Sequence, residues 1–262
     1  MVKKLYLTIY IYILGKEKPQ IVIDAGMHAR EWVTHSSILF IVDHLVKNVE
    51  KYKEILEKVD IIIFPVLNPD GYVYSRVGDR MWRGNRNLND NKICAVDLNR
   101  NYPFSWKESD GTCQTYPGTY GLSEAESMYH SFYMDKFKHL IKGYITLHSY
   151  GRLILLPWSH TLKTDAPYYD EMLTLGNKMK EELKSKKNVD YTVGSSSNVL
   201  YACHGTSSDY AKSLGIKYVY VVELSPESSS NGFIVNEDQI TTIGEEALII
   251  FDVMLHQVHS EL

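Results

Sequence analysis

His28 and Glu31 stand three positions apart in the stretch Asp24-Ala-Gly-Met-His28-Ala-Arg30-Glu31-Trp32. On one helical turn that spacing puts an imidazole and a carboxylate on the same face, and the two donors together suit zinc. A His-x-x-Glu match alone is common in surface helices. Its position gives it meaning: Gln20-Ile-Val-Ile-Asp-Ala-Gly26 reads as a short buried strand, so the pair follows a strand's carboxyl end, where open α/β sheets bind ligands. His148 ends a second apolar segment and Glu223 a third. If parallel neighbours bring these ends together, His148 completes a His/Glu/His set with an open fourth position, as catalytic zinc requires. Glu223 follows Tyr-Val-Tyr-Val-Val, surroundings that disfavour its charge and make it a candidate general base. Taken singly, a strand-end histidine is more often a hydrogen-bonded core residue and a strand-end glutamate a solvated one. The chemistry depends on their convergence.

Of seven arginines, five (Arg76, Arg80, Arg83, Arg86, Arg100) crowd between positions 76 and 100. The planar guanidinium fork matches a carboxylate, so the cluster points to an anionic group on the substrate. A net charge of -4 gives no broad basic field, and nucleic acid is not an expected partner. The apolar run from Leu5 to Leu14 is too short to span a bilayer, no longer run follows, and no membrane partner is expected. Cys94 and Cys113 flank a loop while Cys203 stands alone. Paired, the first two imply an oxidising compartment; as free thiols, a reducing one. Spacing leaves both open.

The elements that must position these residues follow from periodicity. A chain of 262 residues with 44% apolar content can bury one substantial core, and no linker or internal repeat divides it. Leu5 to Leu14 reads as a strand in preference to the core of a signal peptide, which stays open. Strands are expected over 20–26, 59–67, 142–149, 191–194 and 216–223, and helices over 34–49, 123–138, 165–186, 206–214 and 237–259, with Ser123 as a helix cap. Asn68-Pro-Asp-Gly71 breaks the second of these strands sharply. From Tyr72 to Gly121 little periodicity shows, and an irregular stretch of that length is usually functional. Strands alternating with helices predict an α/β sheet with helices on both faces.

The blocks DAGMHAREW, NPDGY, RMWRGNRN, DLNRNYP, GLSEAES, TLHSYG and YVYVVEL occur in the order and approximate spacing of the zinc metallocarboxypeptidases of the pancreatic A/B type. The chain resembles that family, M14, over nearly its whole length. The resemblance implies a single catalytic domain over 1–262 with a mixed, mostly parallel twisted sheet, and a secreted, monomeric exopeptidase that removes single residues from peptide or protein C-termini with one zinc ion. It implies His28, Glu31 and His148 as zinc ligands, Glu223 as general base, and Arg83 as the group that stabilises the oxyanion. Asn99 and Arg100 match the pair that holds the terminal carboxylate, and Tyr201 the mobile tyrosine. Arg30, Ser149 and Tyr150 join the substrate-binding set, and Asp97 matches the carboxylate that orients the first zinc histidine. Cys94 and Cys113 match a family disulfide.

Two departures accompany the match. Ser208 lies seven places after Tyr201, where the family reads the substrate side chain. A serine offers neither counter-charge nor apolar area, so a relaxed or small/polar preference, leaning apolar, is expected. The resemblance finds no counterpart to the family's first helix and strand, propeptide and signal sequence, which suggests either an N-terminally truncated chain or the loss of an edge strand, with poor solubility expected from unpaired backbone groups, and leaves a catalytically impaired homologue or zinc-binding pseudoenzyme as the alternative.

Overall fold

The computed structural model describes residues 17–87, 94–108, 112–227 and 232–262. The strand expected at Leu5 to Leu14 lies outside the described residues. In chain order the elements are β1 (Gln20–Ala25), α1 (Trp32–Lys47), α2 (Val49–Leu56), β2 (Asp60–Phe64), α3 (Pro69–Val77), short 3-10 turns at Leu98–Arg100 and Cys113–Thr115, α4 (Ala125–Phe137), β3 (Ile141–Ser149), β4 (Leu153–Leu156), α5 (Tyr169–Lys187), β5 (Thr192–Ser195), α6 (Ser196–Val199), α7 (Ser207–Ser213), β6 (Tyr218–Leu224) and α8 (Glu237–Ser260).

The strands form one sheet in the order β2-β1-β3-β6-β4-β5. All neighbours run parallel except β4 against β6. Every residue of β1 is buried, and all of β3 but one, because helices cover both faces. On one side α8 packs against α1, α2 and α5, while α7 lies against β3 and β6 on the other and also meets α4. Full burial of core side chains such as Ile21, Ile23 and Ile145 contributes about 1.5–3 kcal/mol each.

Register fixes which side chains share a face. Asp24 pairs with Thr146 and His148 with Glu223. Tyr144, Thr146 and His148 then line one face of β3, since side chains two apart point the same way. The chain leaves β1 for β2 on one side and returns through β3 on the other, so the carboxyl ends of β1 and β3 flank the point where strand order reverses, the expected place for a ligand.

Several local expectations need correction. Asn68-Pro-Asp-Gly71 ends a strand but also starts α3: Pro69 occupies the first helical turn and the Asn68 side chain accepts from the Gly71 N–H at 3.0 Å, a capping arrangement read as a turn. The irregular stretch from Tyr72 therefore opens inside a helix. Glu124, not Ser123, is the cap residue of α4. The charged segment after α1 forms α2, anchored by buried Tyr52 and Ile55. Strand β4 was not foreseen; four residues are too few to display a period.

Candidate metal centre and substrate cavity

His28 and Glu31 sit on the turn between β1 and α1 rather than within a helix: the Glu31 N–H donates to the His28 carbonyl at 3.2 Å, and Glu31 is the cap residue of α1. Gly26 makes this turn possible. Its φ is +70°, and a Cβ there would come within 2.2 Å of the His35 ring, so both backbone and space require glycine. Thr34 tightens the turn, accepting from the Gly26 N–H and donating to the Glu31 carbonyl. Asn68 donates to the carbonyls of Met27 and Gly84, and the Ala29 N–H donates to the Arg83 carbonyl. The segment carrying Arg83 is thereby laced to the one carrying His28.

The end of β3 brings His148 against this turn. His28 Nδ1 lies 2.8 Å from Glu31 Oε1, and His148 Nδ1 lies 3.1 Å from both Glu31 Oε2 and His28 Nδ1. One donor atom from each of the three buried residues falls within 4.8 Å of the others, a group that could hold a metal ion. Two imidazoles and one carboxylate are the donor set zinc accepts. The electrostatics favour positive charge at this point. Burial works to raise the Glu31 pKa, yet His28 and His148 hold it far below the ordinary carboxylate value. Burial also opposes charge on His148, but Glu31, with Glu223 and Asp24 behind it, pushes its pKa up.

Asp97 buttresses the centre with two oxygens. His28 Nε2 donates to Oδ1 at 3.0 Å, and Arg83 donates to Oδ2 through Nε and Nη2 at 3.1 and 2.9 Å. Oδ1 also accepts from the Asn99 N–H at 2.9 Å. Burial would raise this carboxyl, but Arg83, His28 and Arg100 keep it well below its usual pKa. Its anionic state fixes the His28 proton on Nε2 and leaves Nδ1 facing the centre.

Around the centre a cavity of about 370 Å³ is bounded by Arg83, Asn99, Arg100, Tyr201 and Glu223. Glu223 sits on the strand next to His148, partly exposed to this space, and burial pushes its pKa up to about 7 against the pull of His148. Arg100 is only 8% exposed. It donates to the Asn99 carbonyl at 2.7 Å and lies 3.5 Å from the Tyr201 hydroxyl, whose side chain is exposed. Asn99 in turn accepts from the Ser207 N–H. Ser149, Tyr150, Ser208 and Arg30 also line the cavity, and the Ser149 N–H donates to Glu31 Oε2. The Arg30 guanidinium stacks 4.2 Å over Phe233 at the rim, whose ring also meets that of Tyr150. Cys94 and Cys113 are joined as a disulfide. The structure thus gathers the catalytic and substrate-binding residues read from the sequence around one cavity, with His148 joined to them through Glu31 and His28 and Asp97 behind His28 and Arg83.

Several wall residues went unread. Leu155, Ser159, Ser196, Thr206 and Val221 line the same cavity. Val221 was accessible by the two-residue period back from Glu223. The others come from β4, the segment after it, α6 and the cap of α7, where a serine or threonine gives no sign of facing a cavity. Asp209, next to Ser208, turns away: its carboxylate accepts from the N–H groups of Ser159 and His160 and pairs with the His160 ring.

The sequence model of the family described as Zinc carboxypeptidase matches residues 11–249. Carboxypeptidase B of Astacus astacus is 38% identical over 240 residues, covering 88% of this chain and 78% of that protein. Carboxypeptidase O of Bos taurus is 36% identical over 233 residues, covering 86% of this chain and 62% of that protein. Among solved structures, carboxypeptidase A from Helicoverpa armigera superposes with a TM-score of 0.85 at 31% identity, covering 93% of this chain and 62% of the other. The chain thus spans less than two thirds of the length of some of these relatives.

Proposed function

Because this chain belongs to the zinc carboxypeptidase family, we propose that it is a zinc-dependent exopeptidase that hydrolyses the last peptide bond of a polypeptide and releases single amino acids. The observation that carries the reading is the convergence of His28, Glu31 and His148 at the edge of a cavity that also holds a buried arginine and a carboxylate on the adjoining strand. These three residues would hold the metal. A zinc ion bound there supplies Lewis acidity, polarising a carbonyl and easing the ionisation of water.

The protein's own groups divide the remaining work. Arg100, with Asn99 beside it, binds the substrate's terminal carboxylate; a guanidinium already largely removed from water gains most from such a partner. Arg83, held by Asp97, faces the developing oxyanion. Glu223 takes a proton from the attacking water and delivers it to the departing amine. Tyr201, exposed in this structure, closes over the bound end, and Arg30 with Tyr150 and Ser149 contacts residues further up the peptide. Secretion is the proposed setting, favoured by the cystine.

The wall that would meet the terminal side chain is neutral. Leu155 and Val221 supply apolar area, Ser159, Ser196, Thr206 and Ser208 supply hydroxyls, and the nearby Asp209 carboxylate is occupied. Small and apolar C-terminal residues should therefore be released faster than Lys, Arg, Asp or Glu by roughly 100-fold, since an unpaired buried charge costs several kcal/mol. Metal analysis, combined with amino acid release from peptides varied only at the last residue, with and without a chelator, tests both parts. A zinc-loaded protein that releases nothing would refute the activity; preferred release of charged residues would refute the specificity.

A further inference from the structure

The two histidines of the metal centre are supported differently. Behind His28 stands a carboxylate in direct contact, Asp97. Behind His148 stands a hydroxyl: His148 Nε2 lies 3.1 Å from Thr146 Oγ1, on the same face of β3. Thr146 in turn donates to Asp24 Oδ1 at 2.7 Å, and the Tyr144 hydroxyl donates to Asp24 Oδ2 at 2.6 Å. Asp24 and Thr146 are cross-strand partners in the β1–β3 register, and Asp24 is completely inaccessible to solvent. The His130 ring, 3.6 Å from Oδ2, is too distant to bond.

The direction of these bonds follows from counting hydrogens. A threonine hydroxyl has one proton and two lone pairs, and an ionised carboxylate only accepts. The Thr146 proton therefore goes to Asp24, and what Thr146 presents to His148 is a lone pair. His148 must answer with a proton on Nε2, which in the neutral ring leaves Nδ1 unprotonated toward Glu31 and His28. We propose that Asp24, acting through the Thr146 hydroxyl, is a positioning residue that keeps the His148 proton on Nε2 and so holds Nδ1 available to the metal. This rests on the reading of His148 as a zinc ligand. It assigns a role to a buried acid that takes no part in binding the substrate or moving its protons.

The test is zinc affinity measured by competition with a chelator, with the thermal midpoints of the metal-free proteins recorded alongside. Thr146→Val should weaken zinc by about 10- to 100-fold, the range seen when a partner behind a metal-binding histidine is lost, while Thr146→Ser retains the parental affinity. Asp24→Asn, whose amide can donate to the hydroxyl and turn its proton toward His148, should weaken zinc as well. Histidine nitrogen NMR of the metal-free parent, at alkaline pH where the ring is neutral, should place the His148 proton on Nε2. Equal affinity of Thr146→Val and the parent overturns the relay, as does equal loss in Thr146→Ser. An Nδ1 proton on His148 in the parent overturns it without any variant, which keeps the question decidable if Thr146→Val does not fold. A parent that binds no zinc overturns the metal reading and the relay together; a zinc-binding parent with an indifferent Thr146→Val overturns the relay alone.

Discussion

Glu223 shares the cavity with three arginines and His28, and its strand partner is His148. If it moves protons, Glu223→Gln, which keeps the shape and removes the basicity, should lower kcat by about 100- to 10,000-fold while zinc content stays unchanged. Parental kcat in that variant would take Glu223 out of the chemistry. At this scale the sequence is informative where polar residues interrupt apolar strands: His28, Glu31, His148 and Glu223 stand out because each follows a run that has to be buried. Ser159, Ser196 and Thr206 do not stand out, because a small hydroxyl residue in a connection looks the same whether it faces a cavity or bulk water. The relay behind His148 lay between the two cases. Asp24 was inside the leading motif, but its partner depended on the β1–β3 register, which no single strand reveals.

Elements with a clear period were legible: α8 and α7 fall within a residue or two of the ranges expected, and β1, β3 and β6 carry the site at their carboxyl ends as inferred. The failures have local causes. Asparagine before proline can close a turn or cap a helix, and only the Asn68–Gly71 bond decides. Strand β4 runs against its neighbour because the connection from Ser149 is short and returns directly along β6, a choice dictated by that free edge rather than by Leu153–Leu156 themselves. The segment between the two cysteines is held by the bridge and by the Asp97 N–H donating to the Tyr116 carbonyl at 2.8 Å, and it carries Asp97, Asn99 and Arg100. Replacing both Cys94 and Cys113 by serine should cost about 3 kcal/mol, the loop-entropy value for a closure of this size, and should raise KM more than it lowers kcat. Urea midpoints and steady-state kinetics check this; unchanged KM would mean the segment is held without its bridge.

For the molecule as a whole, two buried histidines outside the metal centre, His35 and His130, weaken the fold in acid. Burial pushes His35 down to about 4 and His130 down to about 3. Each stays neutral in the fold while the unfolded chain takes up a proton below its ordinary value of 6.5, so stability falls with falling pH from that point, by about 2 kcal/mol per group at pH 5. Asp24 acts in the opposite sense: burial raises it from 3.8 to about 6, so the fold gains a proton first and recovers about 1 kcal/mol by pH 5. His130→Gln, which still offers Tyr102 an acceptor, should flatten the curve by about 2 kcal/mol at pH 5; parallel denaturation curves at pH 7 and pH 5 measure the difference, and an unchanged slope would refute His130's part.

The near-complete enclosure of Arg100 has one more consequence for what the cavity admits. A guanidinium 8% exposed has already surrendered most of its hydration, and an occupant without a negative end leaves it stranded. Amidated peptides, and rings with no free end at all, should therefore outlast linear acids of the same composition when incubated with this protein, and equal half-lives would show that the enclosed arginine does not choose them.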